Sequence, residues 1–496
     1  MTKRSSMLSR RTLLVGSAVL GGALAAPAIV RAVGSTPAAA EATVPVKVAS
    51  APSGMMDLRA APATAQLLPP PKGATDVWGY DGSVPGPVIR VRAGERVRRR
   101  LVNDLPQPTA VHWHGIRIAN HMDGAAGMTQ APVQPGGTFE YDFVAPDAGT
   151  YWYHSHDRSW EQAARGLHGP LIVEEAEPWK GADREIVLHL DDWRLERDGS
   201  FDEASLGQLM DWSHGGRMGD VLTTNGEANP DLPVRAGERI RLRLINAANA
   251  RIMALDFDGM RPRVVALDGH PVAPRAALDG RYVVLAPAQR ADVVVDMTGE
   301  PGSRVPILSW MDAVENEGWA EVGTFAYGTE KALPARPSDV IALPDTMRHD
   351  LDMKGAQRVR LDMTGGAMGD MTTLVVEGRE RTFDELVGLR KVWGFNGVGG
   401  DMDEPLFQAE RGRTVRLQIR NGTRWPHAMH LHGHHFQVLA RNGQRDPNRD
   451  WRDTVLSEPM ETLDVAFDAT NPGRWLLHCH MLEHQAGGMI TWFEVA

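Results

Sequence analysis

The chain contains one cysteine, Cys479, in 496 residues. A lone thiol cannot form an intramolecular disulfide, so a disulfide framework is excluded whatever the compartment. A basic excess is missing too: 53 Lys and Arg stand against 63 Asp and Glu, a formal charge of −10. That balance argues against binding driven by phosphate neutralisation, so no nucleic-acid partner is expected, and an acidic surface attracts cations instead. Long helical periodicity is scarce. Hydrophobic residues at 42% and charged residues at 23% exclude a mainly disordered, collagenous or multi-span membrane chain. Two residue types with coordinating side chains stand out against that single thiol, with 18 His and 22 Met. Coordination chemistry is therefore the first function to test.

The first forty residues read as an address. Lys3, Arg4, Arg10 and Arg11 precede an apolar run from Leu13 to Val30 and the small-residue stretch Ala38-Ala39-Ala40. This is a signal-peptide layout. The pair in Ser9-Arg10-Arg11-Thr12-Leu13-Leu14 resembles the twin-arginine export signal, which implies recognition by the bacterial Tat machinery and a periplasmic or secreted product. Gly16, Gly21, Gly22 and Pro27 interrupt the run, which opposes a membrane anchor.

The rest repeats itself. PGPVIRVRAGERVRRRLVNDL at 85–105, PVRAGERIRLRLINAANA at 233–250 and PLFQAERGRTVRLQIRNGTRW at 405–425 each read as strand, Gly turn, then an alternating strand ending near Asn. The spacing predicts three related all-β domains at 41–178, 179–335 and 336–496, after a signal peptide at 1–40. From Gly94 to His112 and from Gly412 to His430 is 18 residues, and from Asn103 to His112 and Asn421 to His430 is nine. Nine residues after Asn246 stands Leu255, so the middle domain is expected to hold no metal.

Ten histidines fall in four motifs: His112-Trp113-His114, His154-Ser155-His156, His427 with His430-Leu431-His432, and His478-Cys479-His480 with His484. On a strand both imidazoles of a His-x-His point to one face, because side chains alternate with period two. Eight imidazoles on converging faces exceed what one ion takes, so a cluster of ions is expected. If His478 and His480 face that cluster, Cys479 faces away. His427, His484 and, more weakly, Met489 can join it in the donor set of blue copper.

With YDGSVPGPVIR at 80–90, GLHGPLIV at 166–173 and NPGRWLLHCHMLEH at 471–484, the chain resembles the three-domain bacterial multicopper oxidases across 70–496. The resemblance implies three tandem cupredoxin-like Greek-key β-barrels and four copper ions. It assigns the type 1 ion to His427, Cys479 and His484 with Met489 axial, and the type 2 ion to His112 and His430. It assigns the two type 3 ions to His114, His154, His156, His432, His478 and His480. It implies one-electron oxidation of a reductant at type 1 copper and four-electron reduction of dioxygen to water at the other three.

Making water consumes protons, so an acid beside the cluster is expected. Asp123, in Met122-Asp123-Gly124, matches the family's acid. A second family acid falls after His484, where this chain has Gln485, so part of the relay is expected to run through water and Glu483. Met347, Met353, Met363, Met368 and Met371 crowd 25 residues, which raises a Cu(I) oxidase or a copper-sequestering protein as alternatives. The family's cuprous oxidases carry an acid and a Met just before the motif that His427 opens. Asn421-Gly422-Thr423-Arg424-Trp425-Pro426 offers neither, so a laccase-like oxidase of phenols and aromatic amines is preferred. His121, His168, His189, His214, His270, His349, His434 and His435 match no ligand position and are read as surface or packing residues.

Overall fold

The computed structural model describes residues 54–496 apart from 279, 312–317, 335, 338 and 401. The signal-peptide reading of 1–40 lies outside the described residues. Among these the fold is all-β, and its α-helices are short: Ser159–Gln162, Leu209–Ser213, Phe383–Leu389 and Leu482–Ala486. No helix among them is long and apolar enough to cross a membrane.

One arrangement occurs three times. A leading strand lies parallel to the strand of the sequence repeat: Met56–Ala65 beside Arg96–Asn103, Arg184–Trp193 beside Arg239–Asn246, and Gln357–Gly365 beside Arg413–Asn421. A second sheet faces each, built on the parallel pairs Ile89–Arg92 with His168–Glu174, Asp231–Val234 with Gly318–Tyr327, and Phe407–Ala409 with Ile490–Val495.

Alternation explains the cores. In Arg413–Asn421, Val415, Leu417 and Ile419 are at most 1% exposed. Burying side chains of this size contributes about 1.5–3 kcal/mol each. The middle copy, Arg239–Asn246, is buried on both faces. Ile240, Leu242 and Leu244 enter its core, whereas Arg241 and Arg243 are buried on the other side. Arg241 is held there by Glu175 at 2.7 Å and Asp292 at 2.5 Å, and Arg243 by Glu185 at 2.7 Å and Thr150 at 3.0 Å.

The asparagine closing each repeat has a structural cause. Asn103, Asn246 and Asn421 are at most 1% exposed. Each side-chain oxygen accepts from the backbone N–H two residues on, at Leu105, Ala248 and Thr423. Each amide donates to carbonyls of separate loops: Gln107 and Val133, Arg251 and Leu285, Trp425 and Glu458. The residue staples the turn that launches the next strand, and a short polar side chain suits that task.

Candidate metal centres

The strands launched by these turns carry the histidines. Val111–His114 runs antiparallel to Gly149–Ser155 with His112 opposite His154, and His427–Leu431 runs antiparallel to Gly473–Cys479 with His430 opposite His478. The ladder continues one residue further, since His156 N–H donates to Ala110 and His480 N–H to Ala428. Each second histidine is thereby kept on the side of the first. In the middle domain the matching strand is Met253–Asp256, and Leu255 is fully buried in an apolar core with Phe257.

The first and third domains press these faces together. Donor atoms converge to within 4.8 Å in the sets His112, His114 and His430; His114, His154 and His480; and His156, His432 and His478. His112 stacks on His432 at 3.9 Å and His114 on His430 at 3.8 Å between ring centroids. Among the cluster nitrogens, His112 Nε2, His114 Nδ1, His156 Nε2, His430 Nε2 and His480 Nδ1 are buried without a hydrogen-bond partner. Native proteins seldom leave such atoms unpaired, and the rings that carry them all belong to the converging donor sets, as metal ligands do.

Burial keeps these rings neutral. It holds His114, His154, His432, His478 and His480 well below the ordinary imidazole range and His156 at about 3. Neutral imidazole is the form that binds metal.

Cys479 faces the other way. Its Sγ lies 3.6 Å from His427 Nδ1 and 3.8 Å from His484 Nδ1, and the three residues form a further fully buried donor set. Met489 is buried in the same core, its carbonyl accepting from Cys479 N–H and its N–H donating to the His484 carbonyl. Burial pushes the thiol up to about 12, so a thiolate here calls for a bound cation. His484 Nε2–H donates to the His214 carbonyl at 2.7 Å, and the Trp393 ring packs 4.4 Å from the His484 ring.

Two carboxylates support the cluster, one of which sequence reasoning missed. The Asp123 carbonyl accepts from His112 Nδ1–H at 2.8 Å, and its carboxylate accepts from His432 Nδ1–H at 2.9 Å. Asp453 repeats this from the third domain, its carbonyl accepting from His430 Nδ1–H at 2.9 Å and its carboxylate lying 3.2 Å from His114 Nε2. Desolvation pushes the Asp453 carboxyl up, but Arg290, at 2.6 and 2.8 Å, outweighs it and holds the group well below the usual carboxylate range. Nothing in the sequence marked Asp453, because strand pairing of Thr454 against His430 brings it in.

Glu483 lies elsewhere. Its carboxylate accepts from Arg217 N–H at 3.1 Å and Asn249 Nδ2 at 2.9 Å, tying its helix to the middle domain, and burial raises it to about 7. Gln485 instead lines a cavity of about 670 Å³ between the first and third domains, with His156 and Asp157 also on its wall. The crowded methionines disperse: Met363 is in the third core, Met371 packs on a hairpin core, Met347 lines a separate cavity and Met368 is exposed.

The donor chemistry fits copper, with thiolate, imidazole and thioether at one centre and imidazoles alone at the other. Three stretches match multicopper oxidase family patterns, at residues 63–178, 184–307 and 356–496. The chain is 30% identical over 467 residues to multicopper oxidase MmcO of Mycobacterium tuberculosis, covering 86% of each chain. It resembles the crystal structure of a multi-copper oxidase from Pseudomonas thermotolerans with TM-score 0.76 and 31% identity, over 90% of this chain and 100% of that one. It resembles Lac15 from a marine microbial metagenome with TM-score 0.70 and 40% identity, over 89% of this chain and 100% of that one. Fold and site together define a copper oxidoreductase of cupredoxin-like domains. The chain belongs to the multicopper oxidase family.

Proposed function

We propose that the protein is a laccase-like oxidase, exported by the twin-arginine route to the periplasm or exterior, with domains at 41–178, 179–335 and 336–496. Four coppers, one type 1, one type 2 and two type 3, would supply stepwise electron transfer from phenols or aromatic amines to dioxygen, with water as product. His427, Cys479 and His484 would hold the type 1 ion, with Met489 as a weaker further donor. His112 and His430 would hold type 2, and His114, His154, His156, His432, His478 and His480 would hold the type 3 pair.

One observation carries this reading. Cys479 sits between His478 and His480 in sequence, yet its sulfur meets His427 and His484 while its neighbours' rings enter the other donor sets. A few covalent bonds therefore link the two centres.

The chain's own residues orient and supply protons. Asp123 and Asp453 fix which nitrogen of His112, His432 and His430 faces inward, as supporting carboxylates do at metal sites. Asp123, bonded to His432, is positioned to hand on a proton. The cavity beside His156 offers dioxygen and water a way in, and with Gln485 unable to give a carboxyl proton, Asp157, next to His156 in the chain, supplies an acid on that wall. The dispersal of the methionines favours organic donors over Cu(I).

The test is copper-loaded purification with oxygen uptake on an aromatic amine and on Cu(I) side by side. Intense visible absorption and a larger kcat/KM for the amine are expected. A colourless copper-loaded protein overturns the reading, and a larger kcat/KM for Cu(I) replaces the donor class.

A further inference from the structure

Away from these centres, where the first, middle and third domains meet, lies a cavity of about 20 Å³. Such a volume admits one occupant of water size. Its wall combines His270 from the middle domain, His435 from the third and Met347 from the stretch of the third domain that precedes its first strand.

These side chains are prepared for a ligand. His270 is 4% exposed and its Nε2 is buried without a hydrogen-bond partner. His435 Nε2–H donates to the Gly115 carbonyl at 2.7 Å, which fixes the tautomer and leaves the Nδ1 lone pair available. A second-nitrogen hydrogen bond of this kind is what orients imidazoles at metal sites. The two rings lie 4.4 Å apart and nearly perpendicular. Met347 is 8% exposed, which brings a thioether to the same enclosed place. His434, also on this wall, is committed elsewhere, since its Nε2 accepts from Asn471 N–H at 3.2 Å. Burial holds His270 well below the ordinary imidazole range and His435 at about 4, so neither ring sheds a proton to bind. On the outer side, His349 and Asp468 pair at 3.2 Å, and the partly exposed His349 marks a way in.

We propose that His270, His435 and Met347 bind one soft monovalent cation, Cu(I), at a site separate from the two centres of electron transfer. Two neutral imidazoles and a thioether suit a soft ion. None of the three donors carries a charge, and the charged groups on the wall are already engaged, Arg117 with Asp147 and Asp468 with His349, so a divalent ion is poorly compensated. The occupant joins the middle domain to the third domain and its leading stretch, so it stabilises the assembled chain by linkage.

The experiment uses the copper-loaded protein and Ag(I), a redox-silent stand-in for Cu(I). One silver per chain beyond the copper complement is expected, with a rise in Tm. Met347→Leu and His270→Gln each weaken silver binding by at least the roughly 10- to 100-fold that loss of a supporting partner costs a metal site. Visible absorption and copper content stay at wild-type values in both variants. Met347→Leu conserves volume, so it keeps the test valid if His270→Gln fails to fold. A wild-type protein that takes up no extra silver holds only water there, and the proposal falls. It falls equally if both variants bind silver as tightly as wild type, or if Zn(II) displaces silver.

Discussion

His484 Nε2–H is bonded to the backbone carbonyl of His214, 2.7 Å away in a loop of the middle domain. The outward nitrogen of this proposed type 1 ligand is thus covered by the protein itself. Glu483 holds the covering loop through Arg217 N–H, so a residue next to His484 in sequence fastens the cap over it.

Loosening that cap should change donor selection. Glu483→Ala removes the acceptor for Arg217 N–H and Asn249, and kcat/KM for a bulky phenol should rise relative to a small one. Oxygen uptake with both donors measures the ratio, and an unchanged ratio removes the loop from access control.

Met489→Leu should raise the type 1 potential, because an axial thioether stabilises the oxidised ion more than a non-coordinating Leu does. A redox titration showing no rise, or a fall, takes Met489 out of the ligand set.

Asp453→Asn should destabilise the fold. The change keeps the shape but strands Arg290, which is fully buried and also donates to the Thr150 carbonyl in the first domain. Breaking a buried pair costs about 3–5 kcal/mol, and Asp268, 3.6 Å from Arg290, should place the loss near the lower end. Denaturant unfolding of the copper-free protein reads it, and a loss within error of zero would falsify the clamp.

Asn246→Ala should cost about 1–3 kcal/mol, the expense of leaving buried backbone partners unsatisfied. Asn421→Ala should cost the same, although it lies near the proposed copper ligands and Asn246 does not. Comparable losses, with visible absorption kept in Asn246→Ala, identify a structural staple. A silent Asn246→Ala would refute it.

The copper-free protein should weaken in acid earlier than carboxylate titration alone predicts. Burial lowers His484 to about 4 and His156 to about 3, so between the ordinary imidazole range and those values the unfolded chain binds protons that the folded chain refuses. Stability is then full above about pH 6.5 and falls as pH drops towards 4 and below. Unfolding free energies that stay flat from about pH 7 to 5 contradict this.

Much of this site was legible in the chain. The shared side of each His-x-His follows from the period of two, and the opposed direction of Cys479 follows from the same rule. The repeated Asn-to-His spacing located the chemistry in the outer domains, because turn and strand lengths are local properties. Reading Glu483 as part of the cluster's proton relay was not matched by its contacts, which lie with Arg217 and Asn249. On a short helix the neighbour of a ligand turns about 100° away, and only the packed middle domain decides what it meets.

Local sequence determined which donor types exist, how they pair and which repeat lacks them, since strand alternation and covalent connectivity need no distant partner. Tertiary structure alone decided that Asp453 mirrors Asp123, that His214 covers His484 and that the crowded methionines part company. Those relationships arise where strands pair across intervening loops and separate domains dock, and the free energy of that packing has no trace in any one segment.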